Sequence, residues 1–101
     1  MNHATAIGAL AALGDDLRLT LYRLLVKRGP EGYPAGEIGE RLDLAPSKLS
    51  FHLKVMSEAG LVTARRDGRF VIYAANFDAM NALLAYLTEN GFSLSSECAP
   101  A

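Results

Sequence analysis

The chain has 101 residues, half of them hydrophobic, a formal net charge of −1 and one cysteine. This length supports one packed domain over residues 1–101 and no second core, and no apolar run approaches the roughly 20 residues that span a bilayer. Cys98 alone excludes an internal disulfide framework and fits a reducing, cytoplasmic setting, while MNHATAIGALAALGDD lacks the basic region expected of a secretory signal.

The first predicted element is an Ala/Leu-rich helix over Thr5–Leu13, with Ile7, Leu10 and Ala11 on one face. Asp15 or Asp16 then offers a short acceptor side chain to the free N–H groups of a second helix. That helix, about Leu17 to Arg28, repeats Leu17, Leu21, Leu24 and Leu25 at helical spacing and ends on Lys27, Arg28 and Gly29, a basic last turn and a stop. GPEGYP (Gly29–Pro34) breaks the chain. A short helix follows at about Ala35–Leu42, with Ile38 and Leu42 inward, then a tight turn at Asp43, Leu44 and Ala45. Pro46 suits the first position of the next helix, where its missing N–H costs nothing; this helix runs to about Ala59, and Gly60 suits a left-handed cap.

Beyond Gly60 the period becomes extended. Leu61–Arg66 and Arg69–Ala75 are β-prone runs, and Asp67-Gly68 between them has the chemistry of a two-residue hairpin turn. Asn76 is placed to cap a last helix carrying Phe77, Met80, Leu83, Leu84 and Leu87 in one stripe. Gly91 is expected to close it, leaving 92–101 as a loose tail. The expected fold is therefore mainly α with a β-hairpin wing (α+β), in the order α-α-α-α-β-β-α: a winged helix-turn-helix.

In such a motif the second helix enters the major groove and the first crosses the backbone. Along Pro46–Met56, Leu49, Leu53 and Met56 share a side expected to be core. Ser47, Ser50, Phe51 and Lys54 share the other, with Lys48 and His52 on the flanks. Hydroxyls bond base edges or phosphates, an aromatic ring touches a thymine methyl, and lysine neutralises phosphate. The hairpin adds Arg65, Arg66 and Arg69, a basic ribbon suited to sequence-independent, salt-dependent contact with DNA. Charge is distributed to match. Pro46–Arg69 carries Lys48, Lys54, Arg65, Arg66 and Arg69 against Glu58 and Asp67, a net of +3, whereas from Asn76 onward the only charges are Asp78, Glu89 and Glu97. Each feature is weak alone; their succession within about 35 residues is far more specific.

ALGDDLRLTLYRLL, followed by EIGERLDLAPSKLSFHLKVMSEAGLVTARRDGRFVIY, resembles the ArsR/SmtB family of bacterial metal- and metalloid-responsive repressors over about Leu10–Leu87. Its most specific parts are Ser50-Phe-His-Leu-Lys, Ala59-Gly-Leu-Val and Arg66-Asp-Gly-Arg. The resemblance implies a homodimer joined through the first and last helices, bound to double-stranded operator DNA until an inducer releases it. Ile7, Leu10, Met80, Leu83, Leu84 and Leu87 are the candidate interface, since two extra apolar faces on so small a domain need a partner to bury them.

The family's inducer positions are largely empty. Gly36-Glu37-Ile38-Gly39 holds no thiol before the recognition helix, and Asp78 and Glu89 lack a histidine to complete a zinc site. Tyr86–Asn90 matches arsenite-responsive members, yet Gly91-Phe92 stands where they carry a cysteine pair, and Cys98 stands about where a third thiolate would be. Cys98 is thus a candidate ligand for a trivalent arsenical, in an incomplete soft-thiolate set, or a tail cysteine without a role. His3 reads as a disordered terminal residue. His52 reads as orienting the recognition helix or touching a phosphate, and Tyr22, Tyr73 and Tyr86 as core or interface rings with hydroxyls at the edge. Ser47, Ser50 and His52 diverge on a helix, and neither a phosphate loop nor a metalloprotease motif occurs, so no enzyme is expected. The alternatives are a winged-helix protein-interaction module and a repressor that answers a non-metal signal.

Overall fold

The computed structural model describes residues 1–89. Five helices and three short strands follow one another as α1 (His3–Leu13), α2 (Asp16–Arg28), β1 (Tyr33–Pro34), α3 (Ala35–Leu42), α4 (Pro46–Glu58), β2 (Val62–Asp67), β3 (Phe70–Ala75) and α5 (Phe77–Thr88). The expected α+β architecture is therefore present, with one element added. Gly91, Glu97 and Cys98, and the tail expected over 92–101, lie outside the described residues.

Helix ends are set largely by local chemistry. Asp15 accepts from the Arg18 N–H at the start of α2, and Asn76 accepts from Ala79 at the start of α5. Asn2 caps α1, which begins two residues before its expected start and brings His3 into the helix. Gly60 closes α4 with φ +77°, while its N–H donates to Ser57 and that of Leu61 to Met56. The same pair of bonds closes α3: Asp43 stands at φ 54° and donates to Glu40, and Leu44 donates to Gly39. Each is a left-handed cap that satisfies orphan carbonyls.

Asn76 does more than cap. Its Nδ2 donates to the Gly60 carbonyl at 3.0 Å and its backbone N–H to Leu61 at 2.8 Å, tying α5 to the end of α4. Asn76→Ala is expected to lower stability by about 1–2 kcal/mol, and Asn76→Asp, which keeps the cap and loses the Gly60 bond, by less. A urea midpoint that falls in that order at constant slope checks it.

Two corrections concern the sheet. Tyr33 and Pro34, expected in an irregular loop, form an edge strand antiparallel to β3, with Tyr33 opposite Tyr73 and Pro34 opposite Ile72. The order is β1-β3-β2, and an edge is where proline is tolerated. Gly32 makes the approach possible: a Cβ there would lie 2.3 Å from the Tyr73 carbonyl oxygen. The hairpin turn is also displaced by one residue. Asp67 pairs with Phe70, so the two turn residues are Gly68 and Arg69. Gly68 has φ +64° and Arg69 a negative φ, the pattern of a II′ turn, which puts glycine first.

The core is built from Leu21, Leu25, Ile38, Met56 and Leu61, all fully buried, with Leu49, Leu53, Val62 and Leu83 around them. On α1 the buried positions are Ala6, Ala9 and Ala12. This alanine stripe turns inward, and Ile7 and Leu10 are left 53% and 41% exposed.

Candidate nucleic-acid interface

Helix α4 follows α3 through the tight turn at Asp43–Ala45 and begins on Pro46, so the pair is a helix-turn-helix. Gly39 allows the turn to close on α3, since a Cβ there would sit 3.2 Å from the Leu44 carbonyl oxygen. Leu49, Leu53 and Met56 point into the core, as expected. Ser47, Lys48, Ser50, Phe51 and Lys54 are exposed, with Phe51 59% accessible despite its aromatic ring. The helix thus holds a large apolar ring in water on a face of hydroxyls and lysines.

His52 differs from expectation. It is 8% exposed and therefore not on the outward face. Leu49, His52, Leu53 and Met56 stand at i, i+3, i+4 and i+7, the spacing of one buried stripe; that period is a sequence signal for an inward His52, which was expected on the flank. The Arg18 guanidinium lies 3.1 Å from its Nδ1. A guanidinium only donates, so Nδ1 accepts and the ring proton sits on Nε2. The orienting role expected of His52 has its partner in Arg18, a residue with no signal in the local pattern. Ser47 and Ser50 are not hydrogen-bonded to His52, and the three do not converge.

Packed against α4, β2 leads into the wing. Arg65 was expected beside Arg66 and Arg69 on phosphate, but neighbouring strand residues face opposite ways. Its guanidinium donates to the carbonyls of Pro30 (3.3 Å) and Glu31 (2.7 Å), so it braces the base of the hairpin against the α2–β1 loop. Arg66 and Arg69 have neither ion pair nor side-chain hydrogen bond among the described residues, and the same holds for Lys48 and Lys54. The acid Glu37 is already paired with Arg41 at 2.9 Å. Phe70, beside Arg69 at the wing tip, is 54% exposed; sequence reasoning passed over it as an ordinary strand residue.

At the opposite end of the chain, α1 and α5 pack side by side, and His3 Nδ1 meets the Tyr86 hydroxyl at 3.0 Å, so His3 is a helical residue with a partner. Leu84 and Leu87 on α5 are each 53% exposed, as Ile7 and Leu10 are exposed on α1. Leu83 is 6% exposed and belongs to the protomer's own core, which removes it from the candidate interface; Met80 is half-buried against that core. The Tyr22 hydroxyl, expected at an edge, is buried without a hydrogen-bond partner among the described residues, and burial raises its pKa above the usual phenol value. At the α2 cap the Asp15 carboxylate is held below its ordinary range, first by the Arg18 backbone N–H it accepts and then by the nearby Arg18 charge. No group of three or more metal-ligating side chains is assembled among the described residues, and none of their helices is long and apolar enough to cross a membrane.

This arrangement matches known proteins along most of its length. Residues 13–65 match a family model described as a helix-turn-helix domain. An uncharacterised HTH-type transcriptional regulator, YceK of Bacillus subtilis, is 40% identical over 58 residues, 57% of each chain, so the match spans little more than half of that relative. The arsenical resistance operon repressor of the same organism is 34% identical over 73% of this chain and 69% of its own length. In fold, the chain is similar to a homodimeric winged helix-turn-helix DNA-binding domain from Mycobacterium bovis, described as a possible ArsR-family regulator, with a TM-score of 0.70 at 21% identity, covering 84% of this chain and 77% of that one.

Proposed function

Because the chain belongs to the ArsR family of winged helix-turn-helix regulators, we propose that it is a transcriptional repressor that binds operator DNA as a homodimer. The observation that carries this is the set of unengaged contact groups on and beside α4: Ser47, Ser50, Phe51 and Lys54 on the helix, Lys48 at its flank, and Arg66 and Arg69 on the wing. Ser47, Ser50 and Phe51 meet base edges, while Lys48, Lys54, Arg66 and Arg69 hold phosphates. Arg65 and His52 support the scaffold from behind. A two-fold axis through α1 and α5 presents two α4 helices to major grooves about 34 Å apart, so the operator is an inverted repeat. Selection from a randomised duplex pool tests this: recovered sites should be palindromic with that spacing, and a pool that stays random would overturn it.

For the signal, one cysteine per chain supplies two thiolates per dimer, fewer than an unsubstituted trivalent arsenic centre prefers. An organoarsenical, with one position already taken by carbon, is the thiophilic inducer this set would accommodate. Phenylarsenite is expected to release the selected duplex at concentrations where arsenite does not, and Cys98→Ser to abolish the release. Release that survives Cys98→Ser, read by fluorescence anisotropy, assigns the signal to a ligand that needs no thiol.

A further inference from the structure

Arg18 joins three helices. Its backbone N–H is capped by Asp15 at 3.0 Å, at the start of α2. Its Nε donates at 2.7 Å to the carbonyl of Ala12, in the last turn of α1, where carbonyls have no helical partner and a cation is favoured. Its Nη1 donates at 3.1 Å to His52 Nδ1 in the middle of α4. His52 in turn meets the ring of Phe51 edge-on, with centroids 5.3 Å apart and planes at 72°. A planar guanidinium donating in two directions fixes distance and angle together, as a flexible ammonium does not.

We propose that Arg18 is a positioning residue for DNA recognition: it sets α4, and through His52 the exposed Phe51 ring, relative to the end of α1. The role rests on the DNA-binding function proposed above. It makes α1 and the recognition helix move as one piece, so the angle at which two copies meet through α1 is passed to the faces that meet DNA.

A structural residue, a phosphate contact and a positioning residue lose different things. Arg18→Met keeps the alkyl stem and removes the donors. It is expected to weaken binding to the selected palindrome about tenfold while binding to an unrelated duplex stays within about twofold and the salt slope is unchanged. His52→Leu should reproduce that loss, the double variant should be no worse than either single one, and His52→Gln, which keeps an acceptor, should recover most of the affinity. Should Arg18→Met fail to fold, the comparison of His52→Leu with His52→Gln carries the test. Equal losses on both duplexes, a lower salt slope, additive losses, or His52→Gln as weak as His52→Leu would each overturn the role. A wild-type chain that selects no duplex at all overturns the DNA-binding function itself, and this role with it.

Discussion

Replacing Lys54 and Arg69 together by alanine is expected to lower the affinity for duplex DNA about 30-fold near physiological salt and to reduce the slope of log K against log salt by about 2. The size follows from counterion release. Each phosphate neutralised on B-DNA contributes roughly 0.9 to the slope, and two lost contacts, carried from about 1 M down to about 0.15 M salt, amount to some one and a half decades. Both side chains are free of ion pairs and hydrogen bonds among the described residues, so their removal leaves no buried partner stranded and the fold should be indifferent. Arg65→Ala is the informative contrast. Its guanidinium is held by the carbonyls of Pro30 and Glu31, so its loss should loosen the wing and change the slope by much less than one. Anisotropy titrations of the three proteins at several salt concentrations read all of this. Unchanged affinity and slope in the double variant would remove α4 and the wing from the DNA-facing surface.

The contrast between Arg65 and Arg69 shows where sequence reasoning reached and where it stopped. Elements whose ends are written in neighbouring residues were legible: the Asp15 and Asn76 caps, Pro46 at a helix start, and Gly60 at a helix end all rest on bonds within a few positions. What a wing arginine touches depends on contacts remote in sequence. Placing the turn at Asp67-Gly68 instead of Gly68-Arg69 moves every cross-strand partner by two, so Arg65 would stand opposite Phe70 and not Ile72, and the carbonyls that hold Arg65 lie 34 and 35 positions away. Strand β1 was out of reach for a related reason, since two residues become a strand only through Tyr73, 40 positions away, and through the room that Gly32 leaves.

The inward face of α1 was not assigned from the sequence because alanine carries little hydrophobic signal; the buried positions are Ala6, Ala9 and Ala12. On α5 a single stripe was drawn through Leu83 and Leu84, which stand about 100° apart around a helix. Only one of them can face the core. Arg18 left no trace in any local pattern; its importance comes from Ala12 and His52, six and 34 positions away.

That division of α5 leads to the second large effect. Leu84→Glu is expected to raise the dimer dissociation constant at least about 100-fold and to abolish binding to the palindrome at protein concentrations that saturate the wild type. Ile7, Leu10, Leu84 and Leu87 are between 41% and 53% exposed on two helices that pack against each other, so the protomer leaves apolar side chains on both helices that its own core does not use. Leu84 is 53% exposed, so an interface can bury about half of it, worth about 0.8–1.5 kcal/mol, and a two-fold interface counts every substitution twice. The doubled loss is about 1.5–3 kcal/mol, and desolvating two carboxylates, at about 1 kcal/mol or more each, carries the total past the roughly 3 kcal/mol that 100-fold requires. Phe70→Glu introduces the same charge at an equally exposed ring on the wing, 54% accessible, and should leave the oligomeric state unchanged. Leu83→Glu should behave differently from both, unfolding the protomer, because that side chain is part of the core. Sedimentation equilibrium of the three variants separates these outcomes. A Leu84→Glu protein that remains as tight a dimer as the wild type would place the interface elsewhere on the molecule.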